Sequence, residues 1–137
     1  MGISFYDFLD KKINQCHLMK TGKVDMKWQV DGAWYNLTAI GDCCSSSWFE
    51  HCDNGEALQD ATLLEFDDNY NGDVEAASGK QEDGEYLQID FLRFKTNKGY
   101  CTIEFRNSNN GYYSGWCEIT KASGPPAPNT STILGSF

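Results

Sequence analysis

"VDMKWQVDGAWYNLTAI", Val24 to Ile40, decides the fold class. Val24, Met26, Trp28 and Val30 recur at a period of two, which puts them on one face of an extended strand. Asp31-Gly32 follows as a two-residue turn suited to a tight hairpin, and "AWYNLTAI" returns as the second strand.

The same signal continues downstream. "EYLQIDFLRFKT" (Glu85 to Thr96) and "YCTIEFR" (Tyr100 to Arg106) flank the short turn "NKG". "YYSGWCEI" comes after "NSNNG", whose Asn110-Gly111 pair favours positive backbone dihedrals. These three segments predict a meander. In the first, the apolar set passes from Leu87, Ile89 and Phe91 to Leu92 and Phe94, which swaps faces. A bulge, or a strand buried on both sides, accounts for that. Helix signals are few: "ISFYDFLDKK", "SSSWFEHC" and "EALQDATLLEF" have room for one or two turns each. The expected fold is mainly β (β-rich α+β), an antiparallel sheet or meander of sandwich- or barrel-like form with one or two short helices.

Residues 1–23 read as an N-terminal extension leading into the fold, 24–120 as the β-rich domain, and 121–137 as a Pro/Ser/Thr-rich C-terminal tail. The tail, "ASGPPAPNTSTILGSF" from Ala122, is not expected to continue a sheet, because proline removes ladder donors. A flexible segment is the expectation, with docking of its apolar "ILGSF" end on a neighbouring subunit as the alternative.

A length of 137 residues fits one domain with a core that needs no staples. The 40% hydrophobic and 14% aromatic content speaks for a folded globule and against disorder. A net charge of −9 repels phosphates, so direct nucleic-acid binding is not expected. A basic protein partner or a divalent cation suits it better. "MGISFYDFLDKKINQ" has neither the basic start nor the long apolar run of a signal peptide, and Tyr6 stands where myristoylation wants Ser or Thr. No run reaches the roughly 18 apolar residues of a membrane helix. The host cytoplasm, or a particle assembled there, is the expected location. The sequons at Asn36 and Asn129 are then chance matches.

"IGDCCSSSWFEHC", Ile40 to Cys52, gathers the reactive residue types. In a nucleophilic reading, Asp42 caps a short helix whose amino end lowers the thiol pKa of Cys43 or Cys44; His51 acts as base and Glu50 orients it. No oxyanion device is recognisable. A zinc site would draw on Cys43, Cys44, His51 and Cys52, but neighbouring cysteines point apart and no C-x-x-C spacing occurs. A vicinal disulfide would be strained and opposed by a reducing compartment. The leading expectation is packing: the thiols act as small apolar side chains covered by Trp48 and Phe49. Cys16, Cys101 and Cys117 lie in or beside strand patterns and read as core.

"DDNYNGDVE" resembles part of a calcium loop, with oxygen-bearing side chains at Asp67, Asn69 and Asn71, Gly72 at the sharp turn, and further acids at Asp73 and Glu75. Position twelve is Ser78 where a bidentate carboxylate is needed, so any calcium site would rely on Glu82 or Asp83 folding back. An acidic surface loop explains the same letters, and no cofactor is expected. In "RNSNNGYYSGW", Tyr112, Ser114 and Trp116 share one strand face, and Tyr113, Gly115 and Cys117 the other. With Asp42, Arg106, Asn109 and Asn110, the residues Tyr112, Tyr113 and Trp116 make up the expected binding surface, with Arg106 as the cation for an anionic group. Core burial of the aromatics is the competing reading.

"GDCCSSSWFEH" together with "FLRFKTNKGYCTIEFRNSNNGYYSGWCEI" resembles the DUF7448 domain, a small domain of unknown function found mainly in tailed bacteriophages and some bacteria. The likeness rests on the aspartate-cysteine-cysteine step with its following aromatic and acidic pair, and on the closing strand pair. It covers roughly Val24 to Ile119. It implies a phage-encoded, mainly β domain and supplies no activity or catalytic residues. If the two motifs meet in space, Asp42 and Cys43 lie near Asn110 to Tyr113.

The expected function is that of a non-enzymatic phage protein that contacts a host or virion protein. Its alternatives are a minor virion assembly component, a cysteine enzyme using Cys43 or Cys44 with His51, and a small-molecule- or metal-binding module. No oligomeric state is implied.

Overall fold

The hairpin at Val24 to Ile40 forms as its pattern requires. β2 (Met26–Val30) buries Met26, Trp28 and Val30. Asp31 and Gly32 both take positive φ, 47° and 80°, and β3 (Ala33–Gly41) returns in unbroken register from Val30↔Ala33 to Met26↔Leu37. This computed structural model describes residues 2–68, 79–80, 86–110 and 114–137, with only the backbone described at 79–80.

The remaining strands among the described residues are β1 (Lys12–Met19), β4 (Ser46–Asp53), β5 (Ala61–Asp67), β6 (Gly79–Lys80), β7 (Tyr86–Thr96), β8 (Gly99–Asn109), β9 (Gly115–Lys121) and β10 (Ser131–Ile133). Two 3-10 turns, Phe5–Phe8 and Gly55–Leu58, are the helical content of the described residues. The fold is mainly β. Every pairing is antiparallel, in the order β4-β8-β7-β5-β1-β2-β3-β9, with β10 on β1 and β6 on β7. The ladder between the two halves of this path is short, Lys12↔Thr62 and Ile13↔Ala61. They face each other across one core, where Trp28 of β2 meets Phe94 of β7 with ring centroids 5.3 Å apart. Phe5 plugs the same core, 5.3 Å from Trp28, 4.9 Å from Phe94 and 5.1 Å from Phe66.

β4 begins the path and β3 stands one strand short of its other end, inside β9, yet the two are consecutive in the chain and a loop of residues 42–45 connects them. So short a loop spans at most about 3.6 Å per residue, so the sheet must curl until its ends are neighbours. Side chains then stitch the ends. Ser47 Oγ of β4 donates to Ile40 O of β3 at 2.8 Å, and Asn107 Nδ2 of β8 donates to Ser47 Oγ at 2.8 Å. Asn109 Nδ2 donates to Asn107 Oδ1 at 2.9 Å, which uses the amides of two buried asparagines.

Several expectations are corrected. The meander stops after two strands: β7 and β8 pair along their length, but β9 pairs with β3 from Tyr35↔Lys121 to Gly41↔Gly115. β7 and β4 already occupy both edges of β8, whereas β3 has a free edge beyond β2. β7 carries no bulge against β8. Leu92, Phe94 and Thr96 are buried on one face and Ile89 on the other, with Gln88 and Asp90 part-buried on the first, so the apparent swap of faces reflects a strand covered on both sides. "SSSWFEHC" is strand β4, with no helix for Asp42 to cap; "EALQDATLLEF" divides into the Gly55–Leu58 turn and β5. Residues 12–19, read as part of an extension, form β1 in the middle of the sheet.

The tail is no flexible segment. Its prolines sit in the approach to β10, which pairs with β1 from Met19↔Ser131 to His17↔Ile133. Leu134 is fully buried, and its amide donates to Cys16 O at 2.9 Å. Phe137 exchanges backbone bonds of 3.1 and 2.9 Å with Cys52. The apolar end thus docks on its own chain, along a stretch of β1 that β5 leaves unpaired.

Candidate binding cleft

Where the curled halves part, beside β9, a cleft of about 370 Å³ opens. β7 contributes Asp90 and Leu92, β8 Phe105, β5 Phe66 with Asp68 just beyond it, and β9 Trp116. Tyr6 of the first 3-10 turn closes a further side. Sequence alternation explains each placement. Asp90 and Phe105 are register partners, so both point inward, and Leu92 lies two residues along on the same face.

The chemistry is aromatic and acidic. Tyr6 stacks edge-on against Phe66 at 4.9 Å and donates from its hydroxyl to Asp68 Oδ1 at 3.2 Å. Desolvation, then the Asp68 and Asp67 carboxylates, raise the Tyr6 phenol, so it remains a donor at neutral pH. Asp90 Oδ2 accepts from Gln88 Nε2 at 2.5 Å. Trp116 stays 45% exposed and Tyr6 48%, so two large rings stand at the rim. Among the described residues lining the cleft there is no Lys, Arg or His.

The residues singled out in the sequence are distributed as follows. The two motifs do meet: Asp42 N donates to Ser114 O, and Ser114 N to Asp42 Oδ2, each at 3.0 Å. Trp116 lines the cleft. Arg106 does not await an anion: its Nε donates to Glu104 Oε2 at 2.5 Å and it lies 3.9 Å from Glu50, whose other oxygen holds Trp48 Nε1 at 2.6 Å. Asn109 is buried in the stitch between the sheet ends, so it offers no surface; Asn110 is exposed. Tyr112 and Tyr113 lie outside the described residues, as do Asn69, Asn71, Asp73 and Glu75 of the calcium reading, together with Ser78, Glu82 and Asp83. Asp67 ends β5 opposite Arg93.

Cys43, Cys44, His51 and Cys52 do not converge. Cys43 and Cys44 are exposed in the 42–45 loop, so they pack nothing. Cys52 is buried, 3.9 Å in sulfur separation from Cys101. His51 stands exposed five residues along β4 from Ser46, about 16 Å at the strand rise of some 3.3 Å per residue, so its imidazole is not beside the exposed thiols. No group of three or more His, Cys, Asp or Glu side chains among the described residues is arranged to hold a metal ion.

The cleft residues Asp68, Asp90 and Tyr6 were absent from the expected surface. The signal for Asp90 lay in the phase of β7: counting back by twos from Phe94 and Leu92 puts Asp90 and Gln88 inside. Asp68 and Tyr6 gave no comparable local signal, since a long-range ring contact places them.

Residues 6–119 match the family model described as "Domain of unknown function (DUF7448)". The chain belongs to this family. The match begins within the first 3-10 turn, so the DUF7448 domain includes β1 as well as the hairpin and the closing strands. The DUF7448 chain is also similar to an uncharacterised protein of Acanthamoeba polyphaga mimivirus, 29% identical over 86 residues, which are 62% of this chain and 68% of that protein. No solved structure matches it. No helix among the described residues is long and apolar enough to cross a membrane.

Proposed function

We propose that this DUF7448 chain is a non-enzymatic protein-interaction protein of a virus, and that its cleft receives a lysine or arginine side chain from a basic partner. The observation that carries the reading is the pairing of two carboxylates, Asp68 and Asp90, with the rings of Tyr6, Phe66, Phe105 and Trp116 around one opening. A cation over an aromatic face gains about 0.5–1 kcal/mol when exposed and about 2 when desolvated. A carboxylate at the same opening adds a charge-assisted hydrogen bond. The net charge of −9 steers a basic surface toward the domain before contact. Rim aromatics left half-exposed are the kind of residue that dominates binding energy at interfaces. The mimivirus relative supports the viral setting. The distance between the exposed thiols and His51 supports binding over cysteine chemistry.

Panning a random peptide library on the immobilised chain tests this. Bound peptides should be enriched in Lys and Arg, and Asp90→Asn and Trp116→Ala should each weaken them about tenfold or more, equivalent to roughly 1.4 kcal/mol. Asn keeps an acceptor for Gln88, so Asp90→Asn should fold. Selection of acidic or purely apolar peptides, or equal retention by the Asp90→Asn chain, would refute the reading.

A further inference from the structure

All six cysteines are free. Three are buried, and a fourth, Cys117, is part-buried at the cleft with its thiol held protonated. Burial raises the Cys16 thiol and pushes Cys117 up to about 12; the Cys52 sulfur, then burial, raise Cys101; and Cys52 itself is buried. Cys43 and Cys44 differ in exposure: both are open to solvent, and their sulfurs lie 3.2 Å apart, close enough for the Cys43 sulfur to raise the Cys44 thiol.

That approach is unusual for sequence neighbours, because adjacent side chains on an extended strand point to opposite faces. Here Cys44 has a φ of +72°, in the left-handed region, which turns the second side chain back toward the first. The turn is clamped on both sides. Ser45 donates to Asp42 O from its amide at 3.2 Å and its hydroxyl at 2.7 Å, and Asp42 exchanges two bonds with Ser114. The thiols are therefore held together by the surrounding chain, with no cover over them.

We propose that Cys43 and Cys44 form a reversible two-electron redox site, oxidised by a small-molecule disulfide to a vicinal disulfide. One thiol, as its thiolate, attacks a sulfur of the small disulfide R–S–S–R, forms a mixed disulfide and expels one R–S⁻, which takes up the proton lost by that thiol. The neighbouring thiol then loses its proton and attacks the protein-side sulfur of the mixed disulfide. The Cys43–Cys44 bond forms, the second R–S⁻ leaves, and it takes that proton. Two protein thiols are oxidised and one small disulfide is reduced to two thiols. The sulfurs close from 3.2 Å to about 2.0 Å, a short step for side chains free in solvent. Neighbouring Cα atoms stand only about 3.8 Å apart, below the usual span of roughly 4.4–6.8 Å across a disulfide. The product is strained and excess small thiol reduces it again, which suits a responsive site and not a structural staple.

The test uses the full chain and oxidised glutathione. Native protein should go from two maleimide-accessible thiols to none, lose two hydrogens by intact mass, and yield a peptide carrying an internal Cys43–Cys44 link. Excess reduced glutathione should restore both thiols. Cys43→Ser and Cys44→Ser, which alter only an exposed loop and should melt like the native chain, should stop at a one-glutathione adduct. Phenylarsine oxide, which condenses with two thiols and releases water, should bind once per native chain and lose that binding in either variant. A native chain that keeps both thiols, or halts at the adduct as the variants do, would overturn the proposal, as would failure to take up the arsenical.

Discussion

Gln88 binds the backbone of Gly115 from both sides: Gly115 N donates to its Oε1, and its Nε2 donates to Gly115 O, each at 2.9 Å. A side-chain amide thus stands in for a missing strand partner, because β9 pairs with β3 on one edge and with no strand among the described residues on the other. Gln88→Leu keeps the side-chain bulk but strands a buried N–H and C=O. Each such group costs about 1–3 kcal/mol, so thermal unfolding of Gln88→Leu should begin several degrees below the native chain. An unchanged melting curve would show that water replaces the amide without cost.

Gly115 itself is expected to tolerate no side chain. A Cβ built there would lie 2.2 Å from Ser47 Oγ, 2.7 Å from Asn107 Nδ2 and 2.9 Å from Ile40 O. All three atoms belong to the stitch between the sheet ends, and Ile40 O is backbone. Gly115→Ala should destabilise by about 2 kcal/mol or more through overpacking. Adding Ser47→Ala should recover part of the loss and not all of it, since Ile40 O cannot withdraw. Denaturant melts of the single and double variants would read both.

What was legible in the sequence follows the range of the forces involved. The β2–β3 hairpin needs only alternation and an Asp-Gly turn, so seventeen adjacent letters contain it. The partner of β9 depends on which edges β4 and β7 have already taken, and no local pattern holds that information. β10 was hidden for a related reason: prolines rule out a central strand, yet Ser131 to Ile133 need only a short free edge on β1. At the cleft, the misplaced phase of β7 was the informative feature. Polar Gln88 and Asp90 face inward, one because it satisfies Gly115 and the other because it lines an opening. The Cys43–Cys44 approach was unreadable, since it depends on the φ of a single residue.

The tail strand should respond to acid through His17. Its Nε2 donates to Gln15 Oε1 at 2.7 Å, which leaves Nδ1 to accept from Ser131 Oγ of β10 at 2.9 Å in that tautomer. Burial lowers its pKa from 6.5. The neutral form is therefore favoured in the folded chain. The stabilisation is complete above 6.5, is lost as pH falls from there toward the lower folded value, and stays lost below it. Amide protection at Ser131 to Ile133 should fall as the pH is lowered below 6.5, and His17→Gln should flatten the change. Equal pH response in both chains would remove His17 from the account.

Asp25 should show the opposite sign. Burial raises its pKa from 3.8, partly offset by the Ala39 amide that donates to Oδ2 at 2.7 Å. For a carboxyl raised in the folded state, the favourable contribution is full below 3.8 and disappears as pH climbs through the folded value. At neutral pH the half-buried charge is thus a net cost, held in place by the Ala39 bond. Asp25→Asn keeps an acceptor oxygen for that amide and removes the charge, so it should melt above the native chain at pH 7. The two curves should converge as the pH drops below 3.8, where the native carboxyl is neutral in both states. The same change should reach Cys117, whose thiol is held up by burial first and by Asp25 second. Its reaction with a thiol reagent in alkaline buffer should become faster in Asp25→Asn while remaining slow, because burial still dominates. A variant less stable than native at pH 7 would mean that the charge–amide bond outweighs desolvation, and the assigned order of causes at Asp25 would have to be reversed.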